Sequence, residues 1–264
     1  MTSEHPPERP PPAARARDAA YFDQWYADMA ASSARDAMIA RAFGRPAEEG
    51  SASLLTAQGS ADLADALRLS PEGLVVDVAC GRGGHGIEVA RRSGVRLVGI
   101  DFSAVALEQA RTNGARLLAA GQAEFRMGTL VATGLPAHTA DAVLCVDSVQ
   151  FAEPPLAALT EFRRLLTPGG RLAVTCWEAV DPHDDRVPPR IRAVDLARDL
   201  PAAGFIDVRV QNKADWRQAE RVMWEHVVAA DGSDAAVRSL QDEGRSSLAA
   251  FDSLRRVLAT ATAP

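Results

Sequence analysis

The stretch "VVDVACGRGGHG", residues 75–86, limits this chain more than any other feature. An apolar run that reads as a buried strand ends in Gly81, Gly83 and Gly86, and a helical pattern follows. A strand that runs through glycines into a helix brings backbone N–H groups up to a ligand, because glycine lacks the Cβ that would block the approach. The Gly-x-Gly-x-x-Gly spacing is the one usually read as a dinucleotide fingerprint. Asp77, however, lies inside the strand. In a nicotinamide enzyme the loop amides and the helix N-terminus face a pyrophosphate, so an acid here would set negative charge against negative charge. A phosphate-free, positively charged nucleoside would reverse that sign.

From residue 74 onward, short β-rich runs alternate with helical patterns, the signature of a doubly wound α/β domain whose parallel sheet is covered on both faces. The expected strands are residues 74–79, 96–101, 123–128, 141–146, 171–176, 206–211 and 256–263. Helices are expected over 87–92, 103–120, 156–166 and 194–203. Two regions fall outside the alternation. Ahead of the first strand, residues 19–44 read as two helices with Phe22, Trp25 and Met29 on one stripe, and a short helix capped by Ser60 carries Leu63 and Leu67. Between the sixth and seventh strands a helix starts at Asp215, with Gln218 placed to close a capping box. Its stripe is Trp216, Ala219, Met223, Val227 and Ala230, and a second helix carries Val237, Leu240, Leu248, Phe251 and Leu254. The expected division is a disordered tail over 1–14, a helical cover over 15–70, and a main domain over 71–264 that includes further cover at 213–255.

With 264 residues and 47% apolar content, one main domain can build a full core. A net charge of −6 removes the field that would attract a polyanion, so nucleic acid is not an expected partner. The proline-rich opening "MTSEHPPERPPP" is neither a signal peptide nor a spanning helix. No stretch has the uninterrupted apolar length of a membrane span. Cys80, Cys145 and Cys176 lack metal-type spacing, so no metal is expected, and the reading is a cytoplasmic protein with reduced thiols.

Residues 162–178, "FRRLLTPGGRLAVTCWE", have a helix stopped by Pro168, a Gly-Gly turn and a strand. Together with Asp77, Ala79, Gly81 and Gly83 they make the chain resemble class I S-adenosylmethionine-dependent methyltransferases of the small-molecule, natural-product type. Ala79 stands where the family has its first glycine. The resemblance covers residues 70–211 and implies a seven-stranded, mostly parallel sheet with an antiparallel seventh strand. It also implies S-adenosylmethionine as cofactor, leaving S-adenosylhomocysteine as product.

Carried over position by position, the resemblance implies that Gly81 and Gly83 let the backbone approach the cofactor, with Asp77 behind them. Asp101 would accept from the ribose hydroxyls, and Phe102 would pack on the adenine. Many relatives have an acid after Gly128 that bonds the adenine amino group. Here that place is Thr129, whose hydroxyl, or the backbone at Thr129 and Leu130, would take the role. The backbone at Val146 and Asp147 would meet the methionine amino group. Tyr26, on a helix folded across the site, would reach the methionine end.

On the acceptor side the resemblance points to Tyr21, Ser148, Gln150, Phe151 and Trp177. Several small-molecule relatives place a histidine base where this chain has Phe151, so the proton acceptor is open, with His226, His183 and Asp147 as candidates. An amine, thiol or acidic phenol would need no base; an alcohol or activated carbon would use one. The expected activity is methyl transfer to O, N or C of a small organic acceptor in specialised metabolism, by a monomer or homodimer. The competing reading is a cofactor-binding protein that acts as a non-methylating cyclase or accessory subunit. A nicotinamide oxidoreductase rests on the glycine spacing alone.

Overall fold

In the computed structural model, residues 19–44, 54–231 and 235–264 are described. The expected tail at 1–14 lies outside them. Seven strands pair into one sheet: β1 (Leu74–Val78), β2 (Arg96–Asp101), β3 (Ala123–Met127), β4 (Ala140–Val146), β5 (Leu166–Ala179), β6 (Ile206–Asn212) and β7 (Leu254–Thr262). Their order is β3-β2-β1-β4-β5-β7-β6. The chain steps outward from β1 to β3 and then returns to β4 beside β1, so the order of connection reverses between these two central strands. In such sheets ligands bind outside the carboxyl ends of the strands at that reversal. β7 is the antiparallel member and inserts between β5 and β6.

Alternation along each central strand divides its side chains between two cores. Val76, Val78, Val143, Cys145 and Val174 pack against Leu159, Phe162 and Leu165 of α6 (Pro155–Leu165) and against Leu196 and Leu200 of α8 (Leu196–Ala202). Val75, Ala142, Leu144 and Ala173 pack on the other face, against Leu63 and Leu67 of α3 (Ala57–Leu67), Ile87 of α4 (Gly84–Ser93) and Leu107 of α5 (Ala104–Leu117). α7 (Pro189–Arg192) is a single turn after β5.

The cover consists of α1 (Ala19–Ala30), α2 (Ser33–Phe43), α9 (Ala214–Ala229) and α10 (Ala235–Ala249). A separate apolar cluster joins Ile39 and Phe43 of α2 to Met223, Trp224 and Val227 of α9 and Leu240 of α10. The region expected as cover over 15–70 thus divides: α1 and α2 belong to the cover, while α3 packs into the main core.

Several boundaries differ from the sequence reading, each for a local reason. α3 is capped by Thr56, whose hydroxyl accepts from Gly59 N, and Ser60 lies within the helix. α4 opens at Gly84, ahead of the expected Ile87, because Gly83 in left-handed conformation (φ 82°) turns the loop directly into it. α9 begins at Ala214, with Lys213 preceding it and no side-chain cap, so Asp215 sits in the first turn and stabilises the helix N-terminus by charge. Phe251 and Leu254 fall past the end of α10, in a short 3₁₀ turn and at the start of β7.

Candidate functional site at the carboxyl ends of β1, β2 and β4

The loop leaving β1 is shaped by consecutive departures from ordinary backbone geometry. Ala79 (φ 60°), Gly81 (φ 54°) and Gly83 (φ 82°) all adopt the left-handed region. Glycine enters it freely, whereas Ala79 carries strain that surrounding structure must hold in place. A Cβ at Gly81 would lie 2.6 Å from the Tyr26 hydroxyl oxygen, and one at Gly83 would meet Ile87 at 2.9 Å. The loop is therefore a backbone surface that side chains would fill, with Tyr26 lying over it.

Two buried carboxyls support this surface. Asp77, on the α4 side of β1, accepts from Gly86 N through Oδ2 at 3.1 Å, which ties the strand to the first turn of α4. Burial, reinforced by the charge of Asp101, pushes its pKa up to about 8. At neutral pH Asp77 is thus mostly protonated. Asp77 therefore acts chiefly as an acceptor that shapes the loop, and its charge rejects a diphosphate less than an ordinary carboxylate at this place would. Asp101, at the end of β2, accepts from Gly81 N at 2.8 Å and from Ser103 N at 2.9 Å. Burial raises its pKa also. Its backbone carbonyl accepts from Gly128 N at 3.0 Å, which joins the turn after β3 to the same corner. In that turn Thr129 is exposed, its Oγ1 accepting from Ala132 N at 3.1 Å, and Leu130 packs against the core.

The cover closes on this corner through several contacts. Ser103 Oγ donates to Asp23 of α1, and Gln109 Nε2 donates to the Tyr26 carbonyl at 3.0 Å. Arg82, inside the glycine loop, donates to both carboxylate oxygens of Asp36 on α2, at 3.0 and 3.2 Å. Tyr26 is buried, and that burial together with the charge of Asp101 raises its pKa well above the ordinary phenol value, so it stays protonated. Beside it, Phe22 meets Phe102 edge-on with ring centroids 5.5 Å apart, and Phe151 at 5.8 Å. Tyr21 packs on Phe22 at 5.3 Å, and the Arg190 guanidinium lies 5.4 Å from the Phe151 ring. The result is an aromatic wall running from the β2 end to the turn after β4.

That turn carries the least expected chemistry. Asp147, the first residue after β4, is left-handed at φ 56°. Its carboxylate receives both terminal nitrogens of Arg256 and the Thr175 hydroxyl at 2.8 Å. Arg256, from β7, is wholly buried, and its Nε lies 3.6 Å from Glu220 of α9. Burial pushes the Glu220 pKa up to about 8, while burial opposes the Arg256 charge and Asp147 outweighs it, holding the guanidinium above its ordinary value. Within the turn, Ser148 Oγ donates to the Val146 carbonyl at 3.0 Å and Gln150 Nε2 to the Asp147 carbonyl at 2.6 Å. The Trp177 ring lies 5.4 Å from the Arg256 guanidinium and meets Phe251 edge-on at 5.3 Å.

Tyr26, Asp77, Gly81, Gly83, Asp101 and Phe102 therefore meet at one corner, and Val146, Asp147, Ser148, Gln150 and Phe151 form the adjoining turn. His183 lies in an exposed loop after β5, and His226 is exposed on α9 with Nδ1 2.7 Å from its own helix carbonyl at Val222. The structure brings neither into the cluster, and Asp147, as a base, is occupied by Arg256. Sequence reading missed Arg256, Glu220 and the Arg82–Asp36 pair. The signal was present: Glu220 interrupts the Trp216–Met223–Val227 stripe, and Arg256 shares a strand face with buried Leu258.

Residues 75–170 match a methyltransferase domain family. A solved structure of phosphoethanolamine N-methyltransferase 2 from Haemonchus contortus, in complex with S-adenosyl-L-methionine, superposes with a TM-score of 0.71 at 17% identity, covering 92% of this chain and 60% of that one. Residues 75–170 thus match a methyltransferase domain, and the solved structure shows that the chain has the same fold. The cyclase SpnF shares this methyltransferase fold, with a TM-score of 0.66 at 21% identity over 93% of this chain and 96% of that one. By sequence, the domain is 26% identical over 138 residues to sterol 24-C-methyltransferase of Saccharomyces cerevisiae, covering 51% of this chain and 36% of the relative. The chain thus spans well under two thirds of the length of that curated methyltransferase.

Proposed function

We propose that this protein transfers the methyl group of S-adenosylmethionine to a small, largely apolar organic acceptor. The observation that carries the reading is the corner where a side-chain-free loop at Gly81 and Gly83 meets the Asp101 carboxyl and an aromatic wall. The fit to the cofactor rests on three features of that corner. Glycine at 81 lets the Tyr26 hydroxyl lie against the loop backbone, which leaves the loop without a side chain of its own at that point. Asp101 is buried with its pKa raised, so ribose hydroxyls donating to it would relieve an acceptor that burial penalises. No phosphate is needed to satisfy the loop, and the Asp101 carboxyl beside it, when ionised, favours a cationic nucleoside over a diphosphate.

When bound, S-adenosylmethionine supplies an electrophilic methyl group on a sulfonium. The chain's own residues hold and shield the reactants. Gly81, Gly83 and Ala79 present backbone, Asp101 takes the ribose, and Phe102, Gly128, Thr129 and Leu130 bound the adenine. Val146 and Asp147 face the amino acid end, and Tyr26 closes over it. Tyr21, Phe22, Ser148, Gln150 and Phe151 shape the acceptor side, with Trp177 behind. Holding acceptor and methyl in line in a water-poor pocket supplies much of the acceleration for a displacement at carbon. Since neither His183 nor His226 joins the cluster, positioning carries more of the catalysis than proton transfer to either of them.

The reading places the reaction in specialised metabolism, in the cytoplasm, in a monomer or homodimer, and the acidic balance makes nucleic acid a poor partner. Its test is incubation with labelled S-adenosylmethionine and a panel of isoprenoids, phenols and amines. Label in an extractable product with equimolar S-adenosylhomocysteine is the expected outcome. Tight cofactor binding with no transfer to any acceptor class would overturn it in favour of a cofactor-binding scaffold.

A further inference from the structure

Arg256 is fully buried and Glu220 nearly so, with the Trp177 ring 5.4 Å from the guanidinium and Trp224 hydrogen-bonded to Glu220. Burying an ion is costly before it is paired, and a well-packed apolar set of similar volume is often as stable or more so. Packing alone therefore does not account for an arginine here. What the arginine does hold is Asp147, a non-glycine residue at φ 56° whose conformation persists only where its surroundings over-determine it. Both terminal guanidinium nitrogens and the Thr175 hydroxyl bind its carboxylate, and its N–H donates to the Thr175 carbonyl at 2.9 Å. Turned this way, the carboxylate is held by β5 and β7, and the backbone carbonyls of Val146 and Asp147 stand at the end of β4, each also accepting from a side chain of the turn. β4 adjoins β1 at the reversal of strand order. With Asp101 at the β2 end suited to ribose hydroxyls, the cationic amino group of the nucleoside falls toward the β4 end, where acceptors lie.

Resting on the methyltransferase reading, we propose that Arg256 is a positioning residue which, through the Asp147 carboxylate, holds the β4 turn in the shape that receives the amino acid end of S-adenosylmethionine. Glu220 steadies Arg256 from the cover, its Oε1 accepting from Trp224 Nε1 at 3.3 Å, so α9 and the turn are held by one buried group.

The test is calorimetric binding of two nucleosides to the full chain: S-adenosylhomocysteine, which has the amino acid end, and 5′-methylthioadenosine, which lacks it. Arg256→Met is expected to weaken the first by roughly tenfold or more, about 1.4 kcal/mol, and to leave the second within about threefold. Equal losses for both, or none for either, overturn the positioning role. Should Arg256→Met fail to fold with Asp147 unpaired, Arg256→Lys keeps the positive charge but loses the two-nitrogen grip on the carboxylate. It is expected to weaken S-adenosylhomocysteine by roughly fivefold and to leave 5′-methylthioadenosine within about threefold, and equal losses for the two ligands, or none for either, overturn the proposal. A parent protein that binds neither nucleoside overturns the methyltransferase reading itself, a result distinct from any loss confined to the variants.

Discussion

Asp77 and Glu220 set the pH behaviour of the fold through the same physics: each is buried, and burial favours the neutral acid. Folding raises each pKa to about 8 from ordinary values of 3.8 and 4.5, so over that window the folded state holds protons that the unfolded chain releases. Stability from both groups is fully present below the ordinary carboxylate range and is lost as pH rises toward about 8. Glu161 and Asp62 have depressed values and act in the opposite direction, in a window below their ordinary pKa, so the two sets separate on the pH axis. Asp77→Asn keeps an acceptor for Gly86 N while removing the titration. Its melting temperature is expected to fall less between pH 5 and pH 8 than that of the parent; parallel profiles would show that Asp77 titrates normally. Gly81 offers a second residue-scale test. Gly81→Ala must accept both φ 54° and contact with Tyr26, whereas Gly134→Ala meets only an unfavourable φ of 73° with open space around it. Both are expected to lose about 1–2 kcal/mol of stability. Only Gly81→Ala is expected to weaken S-adenosylhomocysteine binding, by roughly tenfold, and equal affinities in the two variants would remove the loop from the site.

Elements were legible where a single period dominates and obscure where tertiary contacts choose among neighbours. β1, β2 and β4 stand out as apolar runs because both faces are buried, and the glycine loop announces the turn into α4. Ser60 and Asp215 were chosen as caps for their residue types, yet Thr56 caps α3 and Asp215 sits inside the first turn of α9. Capping depends on where the preceding chain docks, which periodicity does not encode. The cover's attachment was invisible for the same reason: Asp36 and Arg82 are 46 positions apart and meet only because α2 folds over the loop. Those two side chains are only 19% and 11% exposed, so the pair is less screened than a surface bridge. A cover that must move to admit ligand should feel its loss. Asp36→Asn is expected to raise the dissociation rate of S-adenosylhomocysteine several-fold in stopped-flow measurements while leaving the melting temperature close to that of the parent. An unchanged rate would mean that α2 does not govern ligand exit.

At the scale of the whole molecule, strand alternation and the order of connections lead from sequence to sheet, and the sheet's reversal point leads to the site. The acceptor side was less legible because its chemistry is assembled from β4, β7 and α9, whose relevant residues, Asp147, Arg256 and Glu220, are far apart in the chain, up to 109 positions, and individually resemble errors in an apolar pattern. The two layers also differ in how they are held. The sheet is buried between two large clusters, whereas the α2–α9–α10 cluster is a smaller satellite joined to the sheet by Trp216 and by the Arg256 network. Regions with fewer buried contacts open at lower free energy than a central sheet. In hydrogen exchange, amides of α1 and α2 are therefore expected to exchange well before those of β1 and β4 in the free protein. Binding of S-adenosylhomocysteine stabilises every state that holds it, so protection should grow most where opening would expel it. That places the largest gain in α1, α2 and the β1–α4 loop, with little change in β6 at the far edge of the sheet. Protection confined to the loop, with α1 and α2 exchanging as before, would show that the cover remains open over the bound ligand and that water is excluded by some other means.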